Sequence, residues 1–257
     1  MTVDVTVNDF VATITINRPD RLNAMDGPTY TALSQAWERV RDDADIRVAV
    51  VTGAGDRSFS AGADLKSFIS APGDLSRFWN TQRDQLLNRG LEVHKPVIAA
   101  VNGYCLGGGM TLLLATDIRL AAPHATFALS EVKRGLLPAN GGTQRILEQL
   151  PYPLAMELLL LGEPMDSESA KRWGLINEVV PKEDLLDAAL DYAHRIAALP
   201  PLAVQACKEL AVRARDMDRP SGFRLEQTML RMLQFTEDSQ EGIAAFSERR
   251  APEYQGR

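Results

Sequence analysis

The chain has 257 residues, 45% of them hydrophobic and 24% charged, with a formal net charge of −6. That is the balance of a soluble globular protein: one large domain, or one with a small appendage. The acidic balance, without a dense Lys/Arg stripe, argues against a nucleic-acid partner. No apolar run approaches a membrane span, and "MTVDVTVNDF" lacks the basic region and apolar run of a signal peptide. Cys105 and Cys207 are too few for a disulfide framework, and His94, His124 and His194 lack metal-type spacing. We therefore expect core thiols in a reducing, cytoplasmic compartment and no metal.

"VDVTVND" and "VATITIN" alternate apolar and polar residues about a short turn, which predicts a β-hairpin. Tyr30, Leu33, Trp37 and Val40 have helical spacing and predict a helix from Pro28 to about Val40. "RVAVVTGAG" and "KPVIAAVNG" read as buried strands, with a helix expected across "DLSRFWNTQRDQLLNRGLEVH" between them. "CLGGGMTLLLA" places glycines at the mouth of an apolar helix, and "DIRLAAP" and "ATFAL" are short strand candidates. The recurring strand, strand, helix order reads as a right-handed ββα spiral. From Gly141 onward the pattern is helical, with Asp166 as an N-cap, Gly174 as a stop, and three more helices after Pro200-Pro201. This gives an α/β class with residues 1–195 as the spiral core and 196–257 as a helical C-terminal region.

Two glycine-rich turns, "SFSAGADLKSF" and "CLGGGMT", each follow a strand, and the second opens a helix. The first N–H groups of a helix have no internal partner and carry partial positive charge. Glycine lets a ligand approach that backbone closely. Two such turns side by side could aim two N–H groups at one oxygen, the geometry of an oxyanion hole; glycines for tight packing and caps are the plainer alternative. "TGAGDRSFSAG" is not a phosphate-binding Walker loop, "GYCLGGG" lacks the spaced glycines of a dinucleotide site, and no G-x-S-x-G elbow is present.

Taken in order, "NRPDRLNAM", "FSAGADL", "KPVIAAVNGYCLGGGM", "FALSEVKRGLLPANGGTQRI" and "AKRWGLINEVVP" resemble the crotonase superfamily, the enoyl-CoA hydratase/isomerase family, over essentially the whole chain. The resemblance implies the crotonase-like ββα spiral, a helical C-terminal part for trimerisation, and homotrimers that often pair into hexamers. It implies acyl-coenzyme A thioester substrates, with no separate cofactor. Carried over by position, the N–H groups of Ala63 and Gly108 become the oxyanion hole. Arg21 and Ala24 match the coenzyme A phosphate and adenine edge, and Ala61, Asp64 and Leu65 match the turn lining the bent coenzyme A. Tyr104, Thr111 and Leu137 are expected to line the acyl pocket.

Family hydratases resemble one another in carrying two glutamates, one three residues past the middle glycine and one twenty residues further on. Those positions here hold Thr111 and Glu131. Adding water across C2=C3 needs one group to orient and deprotonate water and another to protonate C2. A threonine holds water but is no base near neutral pH. Moving a double bond needs only one carboxylate, taking a proton at C2 and returning it at C4. The sequence therefore leans to enoyl-CoA isomerisation through Glu131 as the single general acid/base. The alternatives are an enoyl-CoA hydratase or dehydratase, including carnitinyl-CoA dehydratase-like members, or a non-catalytic acyl-CoA binder. Outside the resemblance, Glu131 could simply pair with Lys133 or Arg134 at the surface.

Overall fold

A computed structural model describes residues 1–64 and 85–257. Strands β1 (Val3–Asn8) and β2 (Val11–Ile16) form the expected antiparallel hairpin. Its two turn residues, Asp9 and Phe10, have φ of +46° and +64°, the left-handed pair that matches hairpin twist. Helix α1 (Gly27–Asp42) begins where Asp26 accepts a bond from the Thr29 N–H, a side-chain N-cap. It buries Leu33, Trp37 and Val40 on one face.

Three strand pairs then build the spiral: β3 (Val48–Gly53) with β4 (Ser58–Ser60), β5 (Val97–Val101) with β6 (Tyr104–Leu106), and β7 (Ile118–Ala121) with β8 (Thr126–Ala128). The first strand of each pair joins a six-stranded sheet and the second a four-stranded one. The larger sheet runs β1-β2-β3-β5-β7-β10, where β10 is Glu178–Val179, and is parallel from β2 onward. The smaller runs β4-β6-β8-β9, with β9 (Met165–Asp166) antiparallel at its edge. Helix α2 (Gly108–Leu113) follows β6 and leads into β7.

The central strands are apolar throughout because both faces of the large sheet are covered. Val48, Val50, Ile98, Ala100 and Leu120 pack with Ala189, Ala193 and Ala197 of one helix. Ala49, Val51, Val97, Ala99 and Val101 point the other way, into the main core with Trp37, Phe59, Met110 and Phe127. This is the period of two expected of a strand.

After β8 come α3 (Gly142–Gln149), α4 (Tyr152–Leu161) and α5 (Ser167–Arg172). Asp166 caps α5 through the Ser169 N–H at 2.7 Å, and Gly174 (φ +78°) stops the chain just past it, as the sequence indicates. Strand β10 (Glu178–Val179) closes the large sheet, and α6 (Leu185–Ala197) covers it. The expected 195/196 junction falls in the last turn of α6, before α7 (Pro201–Arg213), α8 (Arg219–Leu233) and α9 (Glu237–Glu248).

One expectation needs correction. The described part of the helix predicted before Pro96, from Gln85 to His94, is turn and coil. Gly90 sits at φ +87°, and the Arg89 and Leu91 N–H groups both fold back onto the Leu86 carbonyl. A left-handed residue there ends any helical ladder. The earlier part of that segment, and Leu65, lie outside the described residues.

Candidate active site

The two glycine turns meet. Ala63 bridges Met25 in parallel: the Met25 N–H donates to Gly62 O and the Asp64 N–H to Met25 O. That pattern uses the groups flanking Ala63 and turns its own N–H away from Met25. Across the gap, Gly107 adopts φ +50°, ψ −117°, just ahead of α2. Gly108 is the first residue of α2, so its N–H lies outside the helical ladder.

The close approach explains the glycines. A Cβ on Gly62 would stand 2.8 Å from the Gly108 N, and one on Gly109 would stand 2.4 Å from the Ser60 carbonyl oxygen. A Cβ on Gly108 would lie 3.4 Å from the Ala63 N. The sequence therefore brings two backbone donors from separate elements to one place, with the positive end of a short helix behind one of them.

Glu131 reaches the same place from a 3-10 turn, Ser130–Arg134. A Cβ on Gly107 would lie 3.2 Å from Glu131 Oε1, so the carboxylate rests against the residue preceding Gly108. Its cationic neighbours are engaged elsewhere: Lys133 with Glu163 at 2.6 Å, and Arg134 with the Ser130 carbonyl at 3.2 Å. Among the described residues, Glu131 Oε2 is buried and has no hydrogen-bond partner. Desolvation raises the Glu131 pKa above the ordinary carboxylate value, outweighing its own backbone N–H and the Arg134 charge.

Thr111 stands one turn into α2 and is 2% exposed. Its methyl group lies where a Cβ on Gly142 would come within 2.8 Å. Its hydroxyl donates to the Gly108 carbonyl at 3.0 Å and accepts from Asn88 Nδ2 at 3.1 Å. A small cavity of about 10 Å³ is lined by Met25, Tyr30, Asn88, Gly108, Thr111 and Asn140, among others. The sequence marks Tyr30 only through the helical spacing of α1, and it marks neither Asn88 nor Asn140. Asn88 falls in the stretch read as helix, where nothing marks one asparagine as inward-facing.

The remaining expected site residues divide. Ala61 and Ala24 sit on the turn beside the donors: the Ala61 N–H donates to Leu22 O at 3.0 Å, and the Ala24 carbonyl accepts from Arg18. Asp64 lies 3.4 Å from Arg18, whose other nitrogen meets Asp26 at 2.9 Å. Arg18 thus ties together the turn that sequence reading assigned to Arg21, Ala24 and Asp64. Asn23 staples it further, its side-chain amide donating to the Ala54 carbonyl at 3.0 Å and the Ser58 carbonyl at 2.6 Å. Arg21 is exposed at the end of its 3-10 turn. Tyr104 and Leu137 are 45% and 69% exposed and do not line the cavity beside Gly108. Among the described residues, no group of three or more His, Cys, Asp or Glu side chains is placed to hold a metal ion.

The enoyl-CoA hydratase/isomerase family model matches residues 6–257. The chain belongs to the enoyl-CoA hydratase/isomerase family. It is 42% identical over 256 residues to an (E)-benzylidenesuccinyl-CoA hydratase of Thauera aromatica, covering 100% of both chains. It is 40% identical over 255 residues to a carnitinyl-CoA dehydratase of Salmonella arizonae, covering 98% of this chain and 97% of the relative. The crystal structure of an enoyl-CoA hydratase from Mycobacterium tuberculosis H37Rv superposes with a TM-score of 0.92 at 37% identity, covering 100% of this chain and 99% of the other. The crotonase-like α/β spiral expected from the sequence is the fold of the chain.

Proposed function

We propose that this protein adds water to, or removes it from, the C2=C3 bond of an acyl-coenzyme A thioester. The observation that carries the reading is the desolvated Glu131 carboxylate beside the paired Ala63 and Gly108 donors. In the addition direction Glu131 takes a proton from water as the water oxygen bonds to C3. The displaced π electrons move onto the thioester oxygen, which the two N–H groups hold as an enolate. Glu131 then delivers its proton to C2. Water adds as hydroxyl at C3 and a proton at C2 with no net oxidation or reduction, so the step calls for no redox cofactor, and coenzyme A enters as part of the substrate. The full-length relatives that bear the names of a hydratase and a dehydratase support water chemistry over the isomerisation to which the sequence alone leans.

Isomerisation is the second reading, favoured by Thr111 at the position where a second acid was expected. The exposed Arg21 and the turn of Ala24, Ala61 and Asp64 are the proposed coenzyme A edge. The helical C-terminal region is proposed to join copies of the chain as a homotrimer or hexamer. Incubation with 2-enoyl- and 3-enoyl-CoA thioesters, followed by mass and ultraviolet absorbance, tests the reading. We expect a 2-enoyl-CoA to gain the mass of water and lose its conjugation. A 3-enoyl-CoA that gains conjugation without mass, with no hydration of any 2-enoyl-CoA, would favour isomerisation instead. No change with either substrate would remove the catalytic reading.

A further inference from the structure

Asn88 has no role in the reaction as described, yet it is 6% exposed and lines the cavity at Gly108 and Thr111. Asn88 Nδ2 donates to the Thr111 hydroxyl at 3.1 Å, and that hydroxyl donates its own proton to the Gly108 carbonyl at 3.0 Å. Among the described residues, Asn88 Oδ1 is buried without a partner. Glu131 Oε2 is a second buried acceptor without a partner. Buried acceptors are rarely left empty, because an unmade bond costs about 1–3 kcal/mol. Asn88, Thr111 and Asn140 form the polar side of a cavity of about 10 Å³, closed on its other side by Met25, Leu33, Leu86 and Leu112, which has about the space one water needs. Glu131 is not among the residues that line it, but its carboxylate rests against Gly107, the residue before the cavity-lining Gly108.

We propose that Asn88, braced by Thr111, holds the reacting water, with Asn88 Oδ1 accepting one of its protons and Glu131 Oε2 the other. A water whose two protons are both held by acceptors presents a lone pair outward, toward C3 of a substrate. The step balances as before: one O–H bond breaks toward Glu131, the C3–O bond forms, and the same proton passes to C2. Asn88 transfers no proton and orients the nucleophile, the task for which the sequence left no second carboxylate. Thr111 is then a brace for Asn88 on the first turn of α2, one link removed from the water.

This inference rests on the hydration reading, and its test separates the two. Full-length wild type, Asn88→Ala, Asn88→Asp and Glu131→Gln are compared in two assays. One is water addition to crotonyl-CoA. The other is deuterium exchange at C2 of butyryl-CoA, which needs the donors and Glu131 but no added water. Asn88→Ala should lower the hydration kcat by about 100-fold, the usual size of one positioned group, with KM within about threefold and C2 exchange within about threefold of wild type. Asn88→Asp keeps an acceptor and should recover about tenfold of that loss, with a new acidic limb in its pH profile. Glu131→Gln should lose both reactions. Equal loss of hydration and exchange in folded Asn88→Ala would make Asn88 only a prop for α2, and full hydration would remove it from the reaction. A crystal structure supplies the reading that needs no turnover. A water within hydrogen-bond distance of Asn88 Oδ1 in wild type, absent in Asn88→Ala, is expected; an empty cavity in wild type overturns the proposal. Wild type that exchanges C2 but hydrates nothing would sink the hydration reading itself.

Discussion

At the scale of single residues, Glu131 combines two costs, desolvation and an oxygen without a partner among the described residues, that the proposed catalytic role accounts for. Glu131→Gln keeps the shape and removes the base, and we expect turnover to fall by at least ~10²-fold. As the proposed base, Glu131 must be ionised, so wild-type kcat should fall as pH drops through a group titrating above the ordinary glutamate value. The same raised pKa bears on stability. With the folded pKa above the unfolded one, the native state holds the extra proton between them, and stability declines as pH rises through that window. The cost is absent below the unfolded pKa and complete above the folded one. Glu131→Gln should therefore melt higher than wild type near pH 7, with the gap closing toward pH 4. Thermal melts at both pH values check this, and an equal gap at both would show that the carboxylate is not destabilised by burial.

At the scale of elements, the site is the junction of α2, the turn after β4 and the 3-10 turn bearing Glu131. Gly108 is the first residue of α2, where a proline ring is tolerated. Gly108→Pro deletes one donor, though its ring must be accommodated with Cβ 3.2 Å from Met25 Cε and 3.4 Å from the Ala63 N; in the folded variant we expect a cost of about 3–4 kcal/mol in the barrier, or 10²–10³-fold in kcat. Circular dichroism confirms the fold, and unchanged turnover in the folded variant would place the carbonyl elsewhere. Gly109→Ala makes a contrasting test. Its Cβ would meet the Ser60 carbonyl at 2.4 Å, so α2 must lift off β4. We expect a stability loss of about 1–3 kcal/mol by denaturant titration, the usual cost of overpacking, with activity falling as the donors separate.

At the scale of the whole molecule, α7 and α8 bury no residue within a single chain. Phe223, Met232, Phe235, Ile243 and Phe246 are between 60% and 87% exposed. A helical layer that leaves its aromatics outward is a surface waiting for cover, consistent with the proposed trimer or hexamer. Sedimentation should give that mass for wild type. A Phe235→Glu, Phe246→Glu double variant should shift toward smaller species with a lower melting temperature. A wild-type monomer would overturn the proposed assembly. Of the two thiols expected in the core, Cys105 is buried, whereas Cys207 is exposed on α7, a helix that buries no residue within the chain.

The sequence by itself determined the elements with strong local signals. The β1-β2 hairpin, the Asp26-capped α1, the buried strands and the Asp166-to-Gly174 helix rest on alternation, helical spacing, caps and stops, which act within a few residues. The motif order also determined the family, and Glu131 with the two glycine turns was legible as residue types in sequence. The segment around Asn88 was misread because its composition suits a helix, while the left-handed Gly90 and the bonds to Leu86 break it. Only the tertiary structure decided that Glu131 is not a surface partner of Lys133, and that Arg18 clamps the turn of Ala24, Asp26 and Asp64. Only it showed that Thr111 is tied to an asparagine 23 positions earlier in the chain. Such contacts join residues far apart along the chain, and their energy comes from burial and from which lone pairs remain unfilled. No local pattern encodes that, because an acceptor is left over only once every other donor has been placed.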